Sequence, residues 1–324
     1  MSPSVFLFGM GAVGATHAYI FQLGGAEVTV AARSNAEVAE KKGLDFRSEK
    51  YGDSTVKFHK VVKTPSDPSL KGINYDFVVL TNKAIAMTPT ASEQVEPVVG
   101  PNTTIVIIQN GVGNADQFRE RFPNNIVLSA VTWVNAAQPE TGVIVHKGNE
   151  SMQIGVEWND SLPKEPQQAQ LEAFVALLKA GRSDYEIVPD IQQWRWKKTI
   201  WNAIWNTLTA TTLCNTKEFL ESSPAAEATA QALEDEMASI ARALGHEIEE
   251  DYLRSLLERP DLRNGGIFSS MYGDAKAQRP MEVEVILAAP LRYAKNLGLK
   301  TPVLETCVAI VSAMDWRFQN GERR

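Results

Sequence analysis

The chain has 324 residues, 44% of them hydrophobic, and its acidic residues outnumber its basic ones 39 to 32, for a net charge of −7. At roughly 150 residues per domain this is enough for two domains with cores of their own, and the acidic balance excludes the broad basic footprint that nucleic acid or an anionic lipid surface requires. No stretch nears the ~18 apolar residues of a membrane span, an apolar strand begins at Val5 with no basic leader before it, and two cysteines with four scattered histidines supply neither a disulfide framework nor a metal-ligand spacing; a cytoplasmic, reducing setting without a metal is the expectation.

In chain order, Ser4–Phe8 predicts a strand that runs into Gly9–Gly14 and a helix to about Leu23. Glu27–Ala31 predicts a second strand, with a helix over Asn35–Lys42 after it. Strands follow at Asp76–Leu80, Thr104–Ile108 and Ile126–Val131, the first two of these continuously apolar, as in a parallel sheet covered on both faces. Thr141–His146 and Met152–Val156 read as a hairpin joined through residues 146–151 and added antiparallel at the sheet edge; a helix over Gln167–Lys179 and a short strand at Glu186–Val188 close this half. After Pro189 strand-like runs give way to long helical periodicities at about Ile191–Thr212, Ala225–Leu244, Asp251–Leu257, Glu282–Leu297 and Val303–Phe318. The fold class expected is therefore α/β: an N-terminal Rossmann-type doubly wound sheet over residues 1–189, followed by an all-helical domain over residues 190–324.

Two patterns carry chemistry. Gly9-Met10-Gly11-Ala12-Val13-Gly14 follows a strand and opens a helix, the context in which glycines permit a tight turn, close approach of a pyrophosphate and helix–strand packing, with the helix N-terminus facing the phosphates. At the end of the second strand an NAD enzyme would place a carboxylate against the ribose 2′-hydroxyl; Arg33 and Ser34 stand there instead. That favours a 2′-phosphate and hence NADP(H), the bland option being a solvated arginine at a strand end. On the helix that opens the second half, Lys198, Asn202, Arg195, Asn206 and Thr199 share one ~100° stripe beside a circumference rich in tryptophan. The stripe is either a solvated face or the lining of a cleft. In a cleft, a desolvated lysine could protonate a carbonyl oxygen as hydride arrives, with the amides holding the substrate.

With these motifs the chain resembles the ketopantoate reductase (2-dehydropantoate 2-reductase) family over nearly its whole length. Gly9–Gly14 resembles the family's nucleotide loop, Arg33 its 2′-phosphate contact, Lys83 in Thr81-Asn82-Lys83-Ala84 its lysine after the next core strand, and Gln109-Asn110-Gly111 the turn whose asparagine lies by the nicotinamide. Lys198, Asn202 and Asn206 match the family's Lys-x3-Asn-x3-Asn helix, and Ser270 followed twelve residues later by Glu282 keeps its serine-to-glutamate spacing. The resemblance implies NADPH-dependent reduction of 2-dehydropantoate to pantoate. Lys198 would be the general acid, Ser270 with Asn206 would hold the acid end, and Glu282 would accept a hydrogen bond from the terminal hydroxyl. The cofactor residues so implied are Gly9 to Gly14, Arg33, Lys83, Asn110 and Glu282, and those touching the small 2-oxo acid are Asn110, Asn202, Asn206, Ser270 and Glu282; a homodimer is an open option.

The chain also departs from the family pattern. Thr207 stands where the family usually has proline, and the downstream Pro-Asn-Gly turn is Cys214-Asn215-Thr216, one residue early. In the doublet Lys197-Lys198 only Lys198 lies four and eight residues before the two asparagines. A reductase of another 2-oxo acid or of an imine could keep Lys198 and dispense with the Ser270–Glu282 pair, whereas a non-catalytic NADP(H) sensor would keep the loop and lose Lys198, Asn110 and Glu282.

Overall fold

A computed structural model describes residues 2–321. The chain divides into two compact units, one made of residues up to Lys83 with Met87–Gln109 and Asn114–Ile191, the other of Ala84–Ala86, Asn110–Gly113 and everything from Gln192.

The elements of the first unit are β1 (Ser4–Phe8), α1 (Ala12–Leu23), β2 (Glu27–Ala31), α2 (Ala36–Lys41), β3 (Leu44–Ser48), β4 (Ser54–Val56), β5 (Lys60–Val62), β6 (Phe77–Leu80), α3 (Ala91–Val95), β7 (Thr104–Ile107), α4 (Asp116–Arg121), β8 (Val127–Trp133), β9 (Ala136–Glu140), β10 (Val143–His146), β11 (Ser151–Val156), α5 (Lys164–Ala180) and β12 (Asp184–Ile187). An eight-stranded sheet has the order β12-β11-β8-β7-β6-β1-β2-β5. From β5 to β8 all neighbours are parallel, while β11 runs antiparallel to β8. β6 and β7 are buried at every position, as continuous apolar runs in a doubly covered sheet should be.

A second sheet has the order β4-β3-β10-β9, and it corrects the expected hairpin. β10 pairs with β3 and β9, whereas β11 pairs with β8 and β12, so the two runs lie in different sheets. The real hairpin joins β9 to β10 through Thr141-Gly142, with Gly142 at φ +84°. β9 (AAQPE) carries no strand signal in its sequence, having a proline and no β-branched residue, and β4 and β5 are too short to show one, with three residues each.

In the second unit the helices are α6 (Ile191–Thr212), α7 (Thr216–Glu221), α8 (Ala226–Ala243), α9 (Glu250–Glu258), α10 (Pro260–Arg263), α11 (Ser270–Lys276), α12 (Ala289–Asn296) and α13 (Pro302–Asn320). Ile200, Ile204, Trp205, Leu233, Met237, Ile240, Leu304 and Val311 form the middle of their core. The helix expected from Glu282 begins after that residue and opens with a π-helical stretch, Glu284–Ala288. Pro290 explains the widening, because it has no N–H to give the Ile286 carbonyl.

Candidate active site

In the first unit the strand order reverses between β1 and β6, and Gly9 and Thr81-Asn82 follow their carboxyl ends, the position at which open α/β sheets take ligands. Gly9 has φ +107°, and a Cβ there would overlap the Asn82 backbone; one at Gly14 would overlap the Gly9 carbonyl. Gly11 differs: a Cβ built there meets nothing within 4 Å. α1, whose first residues are Ala12 and Val13, starts at Gly11 with no side-chain cap and no acidic residue in its first turn. Its first N–H groups are thus left for an anion. The loop is tied down from beneath. Thr81 Oγ1 donates to the Gly9 carbonyl at 2.8 Å, and Asn35 Nδ2 donates to the Met10 carbonyl at 3.0 Å. Asn35 is itself held by Gln138 of β9, which donates to its Oδ1 at 2.8 Å, and by the Gly142 N–H at 3.0 Å. An open Gly11 over a braced turn is a cradle that fits the pyrophosphate of a dinucleotide. Arg33, just past β2, is exposed, and its guanidinium makes no hydrogen bond or ion pair among the described residues; Lys83 is also exposed.

In the second unit Asn110 and Glu282 meet. Glu282 Oε2 accepts from Asn110 Nδ2 at 2.9 Å, and Oε1 accepts from the Ala84 N–H at 3.0 Å. Gly111 makes this turn possible, with φ +88° and no room for a Cβ against Val285. The Val112 N–H donates to the Val285 carbonyl at 3.0 Å, and Arg195 Nη1 donates to the Gly111 carbonyl at 2.9 Å. Lys198 lies on the same face of α6 as Arg195. Desolvation of its ammonium pulls it down to about 8, against the pull of Glu282 and with the help of Arg195. Further along α6, Asn202 and Asn206 are buried, and their Nδ2 groups have no hydrogen-bond partner. The polar stripe is therefore not a solvated face. Lys197 points elsewhere: Glu249 Oε2 pairs with it at 2.7 Å, and it lies 4.8 Å from the Trp194 ring centroid.

Ser270 makes none of these contacts. It is exposed at the start of α11 and makes no hydrogen bond to Asn206 or Glu282, while Ser269 is the cap, accepting the Tyr272 N–H at 3.0 Å and bonding Thr209 at 2.7 Å. Asn215 caps α7 through a reciprocal pair with Glu218. Residues missed from sequence are Asn35 and Arg195 as braces; of the two, Arg195 carried a signal, since it shares the Lys198 stripe. Gln109, which the sequence placed in the turn with Asn110, donates from Nε2 to the Asn82 carbonyl at 2.8 Å. Among the described residues no group of His, Cys, Asp and Glu could hold a metal, and no helix is long and apolar enough to cross a membrane.

A glycine-rich turn at the reversal of a doubly wound sheet, with a desolvated lysine in a helical unit, defines a nicotinamide-dependent oxidoreductase. Residues 5–158 match the family described as ketopantoate reductase PanE/ApbA and residues 190–315 its C-terminal counterpart. The chain belongs to the ketopantoate reductase family, whose reactions reduce 2-oxo acids. It is 22% identical over 320 residues to a 2-dehydropantoate 2-reductase of Nostoc, covering 98% of this chain and 96% of that protein. It is 26% identical over 306 residues to the meiotically up-regulated gene 72 protein of Schizosaccharomyces pombe, covering 88% of this chain but only about half (52%) of that relative's length. The crystal structure of a 2-dehydropantoate 2-reductase from Methylococcus capsulatus shares the fold, with TM-score 0.82 at 24% identity and 98% of each chain covered.

Proposed function

We propose that the protein reduces 2-dehydropantoate to pantoate with NADPH, residues 1–189 holding the cofactor and residues 190–324 carrying the catalytic lysine. The observation that carries this reading is the Glu282 carboxylate, oriented by Asn110 Nδ2 and the Ala84 N–H in the same unit as Lys198. A carboxylate fixed in this way is an acceptor for a hydroxyl, and the terminal hydroxyl is the group that separates 2-dehydropantoate from simpler 2-oxo acids.

NADPH, when bound, supplies hydride to the C2 carbonyl carbon. The Gly9–Gly14 turn and the N-terminus of α1 take its pyrophosphate, Arg33 its 2′-phosphate, and Lys83 and Asn110 complete the contacts. Lys198 donates a proton to the carbonyl oxygen as the C–H bond forms, so that ketone, hydride and proton balance as alcohol. With its ammonium pulled down to about 8, Lys198 is mostly protonated at neutral pH and a stronger acid than an ordinary lysine. The unpartnered amides of Asn202 and Asn206 donate to substrate oxygens, and Ser270 joins Asn206 at the acid end.

The test follows NADPH oxidation with 2-dehydropantoate and with its deoxy analogue, 2-oxo-3,3-dimethylbutanoate. Leaving the Glu282 carboxylate unpaired costs roughly 1–3 kcal/mol, so 2-dehydropantoate is expected to lead by about one to two decades in kcat/KM, and Glu282→Ala to shrink the gap mainly by slowing it. Equal rates would overturn the substrate. Arg33→Ala is expected to raise KM for NADPH far more than for NADH; equal use of both by the unmodified protein would overturn the cofactor choice. A broader 2-oxo acid reductase is the second reading, favoured by the exposed and unbonded Ser270.

A further inference from the structure

We propose that Arg195 is a positioning residue of this site, pinning the Asn110–Gly111 turn and presenting a fixed positive charge to Lys198. The inference rests on the reading of Lys198 as the proton donor. Arg195 is 3% exposed, and Trp194 and Trp196 flank it in sequence. Burying a guanidinium carries a desolvation penalty, and a like charge three residues away on one helix face adds repulsion. An apolar residue would serve helix packing alone at least as well, so the placement points to a role in the site.

Two contacts show what that role is. Arg195 Nη1 donates to the Gly111 carbonyl at 2.9 Å, while on the other side of the same turn the Val112 N–H donates to the Val285 carbonyl at 3.0 Å. Gly111 is thereby clamped between α6 and the π-helical stretch, and Asn110, next to it, reaches Glu282. Arg195 thus acts on the Glu282 carboxylate through the turn and on Lys198 through space. Glu282 favours the protonated form of Lys198 and Arg195 disfavours it, while the neighbouring Lys197 is paired with Glu249. One arginine so placed couples turn geometry to the readiness of the lysine to give up its proton.

The experiment compares Arg195→Gln and Arg195→Lys. The pH dependence of kcat is measured, and Lys198 is titrated directly by NMR of isotope-labelled lysine in the protein without substrate. Arg195→Gln is expected to move the alkaline limb and the Lys198 titration upward together by about half a pH unit or more. Arg195→Lys keeps the charge and loses the long reach to Gly111, so its limb is expected to stay in place while KM for the oxo acid rises about two- to tenfold. A limb and titration unmoved in Arg195→Gln, or an unchanged KM in Arg195→Lys, overturns the proposal. Should Arg195→Gln not fold, Arg195→Lys decides alone: an upward shift or an unchanged KM refutes it. Full activity of Lys198→Ala would instead refute the proton-donor reading, and the titration would still report whether Arg195 acts on Lys198.

Discussion

Two buried polar clusters in this protein are built in opposite ways. In the first unit Glu150 is fully buried and fully bonded: Lys50 pairs with Oε1 at 2.9 Å, the Tyr51 hydroxyl also donates to Oε1, and Ser183 donates to Oε2 at 2.8 Å. Lys50 also reaches Asp184 at 2.9 Å. Burial works against the charge of Lys50, but its bonds to Glu150 and Asp184 outweigh that and raise it; burial and the Glu150 carboxylate together push Tyr51 well above the usual phenol range. In the second unit the stripe of Lys198, Asn202 and Asn206 has two amides without partners and a lysine held below its ordinary value. A closed network costs little to bury and locks an architecture; an open one costs stability until something fills it. Orphan atoms alone do not mark a site, however. Thr207 Oγ1 is also buried without a partner, yet it lies nine residues, or half a helical turn in angle, from Lys198, and Thr199, Thr209, Thr211 and Thr212 of the same helix all bond the carbonyl four residues back. Nothing in the structure explains the Thr207 exception.

The contrast is broken most severely at Lys198. Lys198→Ala is expected to lower kcat by ~10²–10⁴-fold with NADPH affinity retained in a fluorescence titration, whereas Lys197→Ala, which loses Glu249 and the faces of Trp194 and Tyr252, is expected to keep its turnover. Because the donor must carry its proton, reduction by the unmodified protein is expected to fall as pH rises through about 8; a rate that rises there would contradict the assignment.

Next in size is the closed cluster. Glu150→Ala leaves Lys50 and the Tyr51 hydroxyl without their buried acceptor and is expected to cost about 2–4 kcal/mol. In a chain of two units this should appear as an earlier first transition in urea, with kcat of the still-folded protein unaltered. Asn35→Ala, which releases the Met10 carbonyl and Gln138, is expected to weaken NADPH binding about two- to tenfold while leaving the Lys198 titration in place. The smallest effect has the opposite sign. Asn206→Leu removes an unsatisfied amide and is expected to stabilise the unliganded protein by about 0.5–1 kcal/mol while raising KM for the oxo acid. Destabilisation with unchanged KM would show that Asn206 belongs with the architectural groups.

The parallel strands β1, β2, β6, β7 and β8, the glycine turn and the long helices were all readable along the chain, because each is written in a local period or in turn chemistry within a few residues. The same holds for which lysine of the doublet shares a face with Asn202 and Asn206, which needs only the angular spacing of one helix. What the chain order hides is every partner that arrives from far away. β3 finds β10 about a hundred residues downstream, Glu150 meets Lys50 at the same remove, and Asn110 reaches Glu282 across 172 residues. Whether the α6 stripe faces water or protein was equally undecided, since a periodic pattern records which residues share a face and not what covers it. Burial of Asn202 and Asn206, the desolvation of Lys198 and the clamp of Arg195 on Gly111 exist only once the helices and the turn have packed, because desolvation and hydrogen-bond closure are properties of the surroundings rather than of the residue.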